Sequence, residues 1–476
     1  MSDRIHPYAT VAVALVAALC CAGGAAATTY FILDDGDDLT QGNGTCTLRE
    51  AAYAASSDVA FDDCPAGSSD EQDVIVLLVS PIVLTLPSQG NDFFDQGGDI
   101  DLSFGELAIV GGLIPGVHYQ VVGGPLWDDR IFEIFQATVE IVGLEIAGGD
   151  TRSAGGGIMA SDSVLSIVDS KVRFNEAEYG GGIALERSFA TIERTSVIAN
   201  STGIIGWGAG LYINDGSAVT VVDSLFWKNH AAFGGGAIAL CSQDPASECW
   251  GNADPSSLVL SRSWILENTG QNGGGLVAAG GVGIVENSIF SHNRAFVRGG
   301  GLYFTETPFM AVDNTTIVDN RCDEGCDVCR PCPAGGIAVF DTGEAPVGVE
   351  MTNTILANNQ ATGGGPDCTG PITSEGHNLL GDLGGCGLAP LGTDLVGVDP
   401  RVQSDDGYRP HFDSPAVDAG DPATCKALDF YRVARPQDGD GDGEAVCDIG
   451  AVERGPSLFA DGFETGHTGN WSSSVG

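Results

Sequence analysis

Apolar residues recur two places apart in short bursts along the middle of this 476-residue chain, and each burst keeps a fixed distance from a polar pair. Seven times between residues 165 and 359 a Ser or Thr is followed two places later by an apolar residue and five places later by Asn. The copies are Ser170/Val172/Asn175, Thr195/Val197/Asn200, Ser224/Phe226/Asn229, Ser263/Ile265/Asn268, Ser288/Phe290/Asn293, Thr315/Ile317/Asn320 and Thr354/Leu356/Asn359. Three places before each Ser or Thr stand Ile167, Ile192, Val221, Leu260, Val285, Val312 and Met351. Five places before stand Leu165, Ala190, Val219, Leu258, Gly283, Met310 and Val349. A spacing of two puts side chains on one face of a strand. Each copy therefore predicts a short strand whose inward side chains stack on those of the next copy.

A small-residue tripeptide leads each copy, beginning at Gly155, Gly180, Gly208, Gly234, Gly273, Gly299 and Ala334, at intervals of 25, 28, 26, 39, 26 and 35 residues. Glycine permits the tight bend before a strand. A period near 25 belongs to stacked coils and suits one three-sided turn of a parallel β-helix. Leucine-rich repeats share that period but need Leu columns and helical segments, and neither is present. The expected fold is all-β: a single-stranded right-handed parallel β-helix with a short N-terminal capping helix. About ten coils at the ~4.8 Å strand spacing give a rod about 50 Å long.

Asn fits the corners because it tolerates left-handed backbone and because stacked amides can donate and accept along a column. Each such bond contributes about 1 kcal/mol net, whereas a buried unpaired amide costs about 1–3 kcal/mol. The residues just before each Ser or Thr are Asp169, Arg194, Asp223, Arg262, Asn287, Asn314 and Asn353. They predict an opposite-sign ladder that becomes an amide ladder. Both columns are read as structural.

The chain divides into five parts. Residues 1–27 have the form of an export signal, with Arg4 and His6, an apolar run from Ala9 to Cys21, and Ala25, Ala26 and Ala27 at the cleavage site. Residues 28–97 hold an N-terminal cap and the first strands. There Thr47-Leu48-Arg49-Glu50 is a capping box opening an Ala-rich helix through about Ala55, which would cover the open edge of the first coil. Residues 98–365 are the coils, 366–455 a disulfide-stapled C-terminal cap, and 456–476 a flexible tail. No segment after the signal is long enough to anchor the chain in a membrane.

Export removes Cys20 and Cys21 and leaves twelve cysteines, disulfide candidates in an oxidising compartment. They are Cys46 with Cys64, Cys241 with Cys249, the group Cys322, Cys326, Cys329 and Cys332 with its pairing open, Cys368 with Cys386, and Cys425 with Cys447. Two of these sets lie in the long repeat units, where stapling limits loop freedom. The Cys322 group has a second reading as a zinc or iron–sulfur centre.

Formal net charge is −44, with only Lys171, Lys228 and Lys426 as lysines. Such a surface excludes nucleic acid and anionic membrane as partners and favours cations. An acidic polysaccharide would need bridging calcium. The sequence requires no cofactor, and calcium is the one it could bind, at Asp438, Asp440, Asp442 and Glu444 with Asp448 close by. Alternate carboxylates on a glycine-rich loop can converge on a hard cation. The EF-hand pattern fails at its twelfth position, Ile449, and a solvated acidic turn is the other reading. Lys228, Glu267, His292 and Asp319 share one register, four places past each Ser or Thr, and are the residues from which a catalytic group could be assembled. An opposite-sign surface stack explains them as well, so no catalytic residue is assigned. No HExxH, GxSxG or P-loop pattern occurs.

Gly234-Gly235-Gly236-Ala237-Ile238, with Phe226-Trp227-Lys228-Asn229 and Phe290-Ser291-His292-Asn293, resembles the paired GGA[ILV] and FxxN repeats of polymorphic outer membrane proteins. Cys46-Thr47-Leu48-Arg49-Glu50-Ala51 resembles the CSLREA segment that opens many exported β-helix proteins. Ser414-Pro415-Ala416-Val417-Asp418-Ala419-Gly420 and Cys447-Asp448-Ile449-Gly450-Ala451-Val452-Glu453 resemble the closing motifs of the choice-of-anchor Q domain. Leu458-Phe459-Ala460-Asp461-Gly462-Phe463-Glu464 is similar to a tail on exported proteins of some gammaproteobacteria. These resemblances imply a pectin-lyase-like solenoid exported by a bacterium to its surface or medium; the barrel that ends the polymorphic proteins has no counterpart here. The function expected is adhesion or binding, without catalysis, to cell-surface glycans or envelope components. The alternative is an extracellular polysaccharide lyase or glycoside hydrolase acting along the rod, since pectate-lyase-like enzymes use this fold with calcium-binding carboxylates and an Arg or Lys base.

Overall fold

The apolar columns of the sequence become rows of paired strands. The computed structural model describes residues 27–39, 42–87, 97–112, 114, 116–242, 254–323, 331–343 and 347–456. Among these, two 12-stranded sheets and one 10-stranded sheet run the length of the molecule, with shorter four- and two-stranded sheets at one corner. Strand pairing is parallel throughout the stack. One winding passes through Phe189–Glu193 in the first 12-stranded sheet and Ser196–Ile198 in the second. It continues through Ser201–Trp207 in the corner sheet to Leu211–Asn214 in the 10-stranded sheet. The next winding starts at Ala218–Val222, directly over the first. This is a right-handed parallel β-helix, the hand that parallel crossovers adopt.

Register is vertical. Ile167, Ile192, Val221, Leu260, Val285, Val312 and Met351 are consecutive partners. Val172, Val197, Phe226, Ile265, Phe290, Ile317 and Leu356 form a second such column in the other long sheet. All fourteen are fully buried, and burying a side chain of this size contributes about 1.5–3 kcal/mol. The third column is Ile158, Ile183, Leu211, Ile238, Leu276, Leu302 and Ile337.

That third column corrects one marker. In the fourth copy it aligns Ile238, not Ala237, so the bend is Gly235-Gly236-Ala237 and the marker read from Gly234 shifts by one. The residue three before the apolar column must be left-handed, and Gly235 has φ +64° there. Gly299 shows why glycine is favoured, with φ +63° and a Cβ that would lie 2.2 Å from the Leu302 carbonyl oxygen.

The helix α1, Leu48–Ser57, is capped as a full capping box: Glu50 N donates to Thr47 Oγ1 and Thr47 N to Glu50 Oε2. Arg49 is 1% exposed and rivets α1 to the first winding, donating to Asp37 Oδ1, Asp99 O and Gly98 O.

The C-terminal region does more than close the end. Cys368–Thr369, Thr373–Gly376, Leu379–Leu380 and Leu395–Val396 extend the sheets. The chain from about 400 then returns along the outside of the second long sheet as a lateral strap. Tyr408, Ala416, Phe430, Ile449, Ala451 and Val452 pack there against the outward-facing Ile289, Val318, Ile355 and Ala357. Those outward positions are too apolar to face water, which is why the strap lies on the flank.

Candidate functional site

At the corner after the second long sheet the seven asparagines stand over one another. Asn175 Nδ2 donates to Asn200 Oδ1 at 3.0 Å, and the same bond repeats to Asn229, Asn268, Asn293, Asn320 and Asn359. Each acceptor oxygen also takes the backbone N–H of the preceding Asn, as Asn200 N to Asn229 Oδ1 at 3.0 Å. The left-handed residue at this corner is the one before Asn, in contrast to the expectation: Lys228, Glu267, His292 and Asp319 have φ of 54–58°. The asparagines serve as the ladder, and the turn falls on their variable neighbours.

Those neighbours are the register candidates for catalysis, and three of them have side-chain partners. Lys228 Nζ lies 3.5 Å from Glu267 Oε2 and 4.3 Å from the Trp227 ring centroid. His292 Nδ1 is 2.8 Å from Ser291 Oγ and 3.4 Å from Tyr408 OH on the strap. Burial pushes the Asp319 carboxyl up, with His292 opposing. Lys228 and Glu267, with side chains 52% and 49% exposed, bind each other, and His292 alone is held by the strap.

The neighbouring column splits in two. Arg194 is bidentate to Asp169 at 2.7 and 3.0 Å, and Arg262 to Asp223 at 2.8 and 3.3 Å. The expected amide ladder beyond them does not form. Asn287 Nδ2 donates to Leu428 O, Asn314 Oδ1 accepts from Arg435 Nη1, and Asn353 Nδ2 donates to Thr424 Oγ1. These three amides hold the strap, which covers them before they can reach one another.

The acidic loop is distributed differently from its sequence. Asp438 and Asp440 come together with Asp418, their ligand oxygens within 4.8 Å of one another. Asp418 Oδ2 accepts from Gly439 N and Asp440 N, and Asp438 from Gly441 N and Gly443 N. Asp442 and Glu444 stand outside that group; Asp442 Oδ1 accepts from Glu444 N. Asp448 is turned inward, fully buried, accepting from Asp418 N at 2.8 Å and Arg454 N at 2.6 Å. Burial, then the nearby Glu453 charge, pushes its carboxyl up to about 8. Asp448 thus belongs to a buried clamp with Glu453 and Arg435, where Arg435 Nε lies 3.2 Å from Glu453 Oε2.

Disulfides join Cys46 to Cys64, Cys322 to Cys332, Cys368 to Cys386 and Cys425 to Cys447. The Cys322–Cys332 bond takes two thiolates from the metal-centre reading. Cys241 is disulfide-bonded; Cys249, Cys326 and Cys329 lie outside the described residues, as do 1–26 of the expected signal and the tail from 457. Disulfides fit an oxidising compartment. Among the described residues no helix is long and apolar enough to cross a membrane.

One aromatic cluster was not read from the sequence, and its Tyr212, Tyr303 and Trp207 are buried. The outward column of the 10-stranded sheet carries Tyr212 and Tyr303, facing aromatics from the corner sheet and its turns. Trp207 stacks on Phe233 with centroids 6.2 Å apart, and Tyr179 lies 5.3 Å from Tyr212. Arg298 sits over Phe340 at 4.6 Å and donates to Tyr303 OH at 3.3 Å; among the described residues it has no carboxylate partner. Tyr212 and Tyr303 stand 12 places before Ser224 and Thr315, and Trp207 and Arg298 stand 17 places before the same markers, so the signal was an offset that two of the copies share.

No protein-family model matches the chain. Metabotropic glutamate receptor-like protein R of Dictyostelium discoideum is 33% identical over 89 residues, which is 19% of this chain and 5% of that protein. The crystal structure of pectate lyase Pel9A aligns with a TM-score of 0.45 and 13% identity, over 90% of this chain and 98% of that one. At that distance the likeness assigns no activity here.

Proposed function

We propose that this chain is an exported bacterial surface protein whose rod binds cell-surface glycans or envelope components without transforming them. The observation that carries the reading is the placement of Lys228, Glu267, His292 and Asp319. Lys228 pairs with Glu267 and His292 meets Tyr408 on the strap, while Asp319 is only near His292, so the four do not converge on one point. The rod offers instead an extended surface repeated at each coil, suited to weak contacts that add through multivalency. Phe340, 43% exposed, with Arg298 over its ring supplies an aromatic and a guanidinium on an otherwise acidic molecule. The CSLREA-like opening, the polymorphic-protein-like repeats and the choice-of-anchor-Q-like closing motifs support export.

The test is binding of purified chain to isolated envelope fractions and immobilised glycans, beside a variant with Lys228, Glu267, His292 and Asp319 all changed to Ala. Equal retention of parent and variant supports the proposal. Loss of a saccharide-cleaving activity in the variant would replace it with the lyase or hydrolase reading.

A further inference from the structure

Ser103, Phe135, Ser161, Glu186 and Asn214 are consecutive partners at the end of strands in the 10-stranded sheet. The residues after them, Phe104, Gln136, Asp162, Arg187 and Asp215, turn the chain into the first 12-stranded sheet, all with left-handed backbone at φ of 48–61°. Four are polar, as suits a turn in water. Phe104 is the exception: left-handed backbone is unfavourable for a bulky side chain, and its ring, beside Phe135 with centroids 6.1 Å apart, is 47% exposed. Folding gains little from such a placement.

Between this turn row and the C-terminal end of α1 lies a cleft of about 530 Å³, lined by Phe104 and Val164 and by residues 68–71, a size that suits a ligand. Glu106, Thr138, Val164 and Phe189 are consecutive partners, so Phe189, 63% exposed, stands three windings from Phe104, about 14 Å along the axis. Five carboxylates line the cleft, Asp58, Asp70, Glu71, Glu106 and Asp162, and no Lys, Arg or His does. Among the described residues only Asp162 of these has a cationic partner, Arg187 at 2.8 and 3.0 Å. We propose that the cleft binds a cationic amino-sugar glycan, with Phe104 and Phe189 as stacking platforms and the carboxylates as partners of its ammonium groups. This rests on the reading of the rod as a glycan binder and gives it a site and a ligand class. A pyranose presents C–H groups to the negative face of an aromatic ring, and a neighbouring ammonium adds cation–π attraction. The carboxylates draw cations and repel the uronates of acidic polymers. Rings set windings apart suit an extended sugar chain, whereas a bare metal ion would have no use for them.

The test is calorimetric titration of the purified chain with a deacetylated chitosan oligosaccharide, its N-acetylated counterpart and oligolysine, beside retention on envelope fractions. The parent should bind the deacetylated sugar, more weakly as salt rises, and its N-acetylated counterpart at least about tenfold more weakly. Phe104→Asn should bind the deacetylated sugar at least about tenfold more weakly, while keeping the parent's melting temperature because Asn accepts left-handed backbone. Phe189→Ala reads the same loss with no change at a strained turn. Asp70→Asn with Glu71→Gln should weaken binding and flatten its salt dependence. Phe309→Ala removes a 40% exposed ring from the same edge of the sheet, far from the cleft, and should change nothing. Oligolysine reports the general attraction of the acidic surface, so its affinity should not depend on Phe104; a loss as large as the sugar's would assign the cleft to basic peptides and overturn the proposal. No binding of the deacetylated sugar by the parent, or binding unchanged in Phe104→Asn and Phe189→Ala, overturns it as well. Envelope retention that persists in those variants would leave the rod a binder without this site.

Discussion

Changing Asn229 to Ala removes an oxygen that accepts from both Asn200 N and Asn200 Nδ2, and a nitrogen that donates to Val197 O and Asn268 Oδ1. With the site fully buried, no water replaces these partners. At about 1–3 kcal/mol for a buried polar group left unpaired, the expected loss is about 3 kcal/mol or more, read as a lowered thermal midpoint and as faster exchange of the Asn200 amide. The five-residue offset made this column legible. Its terminus was not legible, because Asn359 passes its amide to Asp367 Oδ1 across a Gly-rich excursion that breaks the offset. Burial raises the Asp367 carboxyl pKa against the N–H donors from Asp382 and Asn359. The folded chain then keeps a proton that the unfolded chain releases above about pH 4. This group's stabilisation is complete below that pH and declines as pH rises through the raised value. Asp367→Asn should flatten the fall of melting temperature with pH over that window; an unchanged slope would assign the fall to other groups.

Among the elements, the strap is the part whose place differed most from the reading. Its motifs at Ser414–Gly420 and Cys447–Glu453 were visible, and they do meet, with Ile449 N donating to Ala416 O at 2.9 Å. That they lie on a flank could not be read, because it depends on which face of the second long sheet runs out of polar residues. The buried Arg435–Glu453 pair, with Arg435 Nη1 on Asn314 Oδ1 and Nη2 on the Gly450 carbonyl, fastens it. Arg435→Ala leaves Glu453 buried without its cation, at a local cost of about 3–5 kcal/mol. Trypsin should then cut at Lys426 and Arg432 much faster, while the sheets up to Val396 stay protected. Arg435→Met with Glu453→Gln should recover part of the resistance, since it removes both buried charges and keeps a side-chain acceptor for the Gln437 and Asp448 N–H groups. Equal cleavage of parent and Arg435→Ala would show that apolar packing alone holds the strap.

For the whole molecule, the repeating inward columns were enough to give the solenoid, since every winding buries the same three faces. The aromatic cluster and Arg298 occupy one register but recur in only two of the copies, which is why they escaped the reading. Net charge of −44 gives the expected ligand preference: neutral glycans bind without added cation, whereas acidic ones bind only with a divalent ion and are released by EDTA, as followed on immobilised saccharides. The most direct measurement is prolonged incubation of the purified chain with pectins, alginates and glycosaminoglycans, with and without calcium, scored for unsaturated ultraviolet-absorbing products and new reducing ends. Intact polymer in every arm, with binding retained, is the outcome expected of a binding rod; accumulation of either product would contradict it.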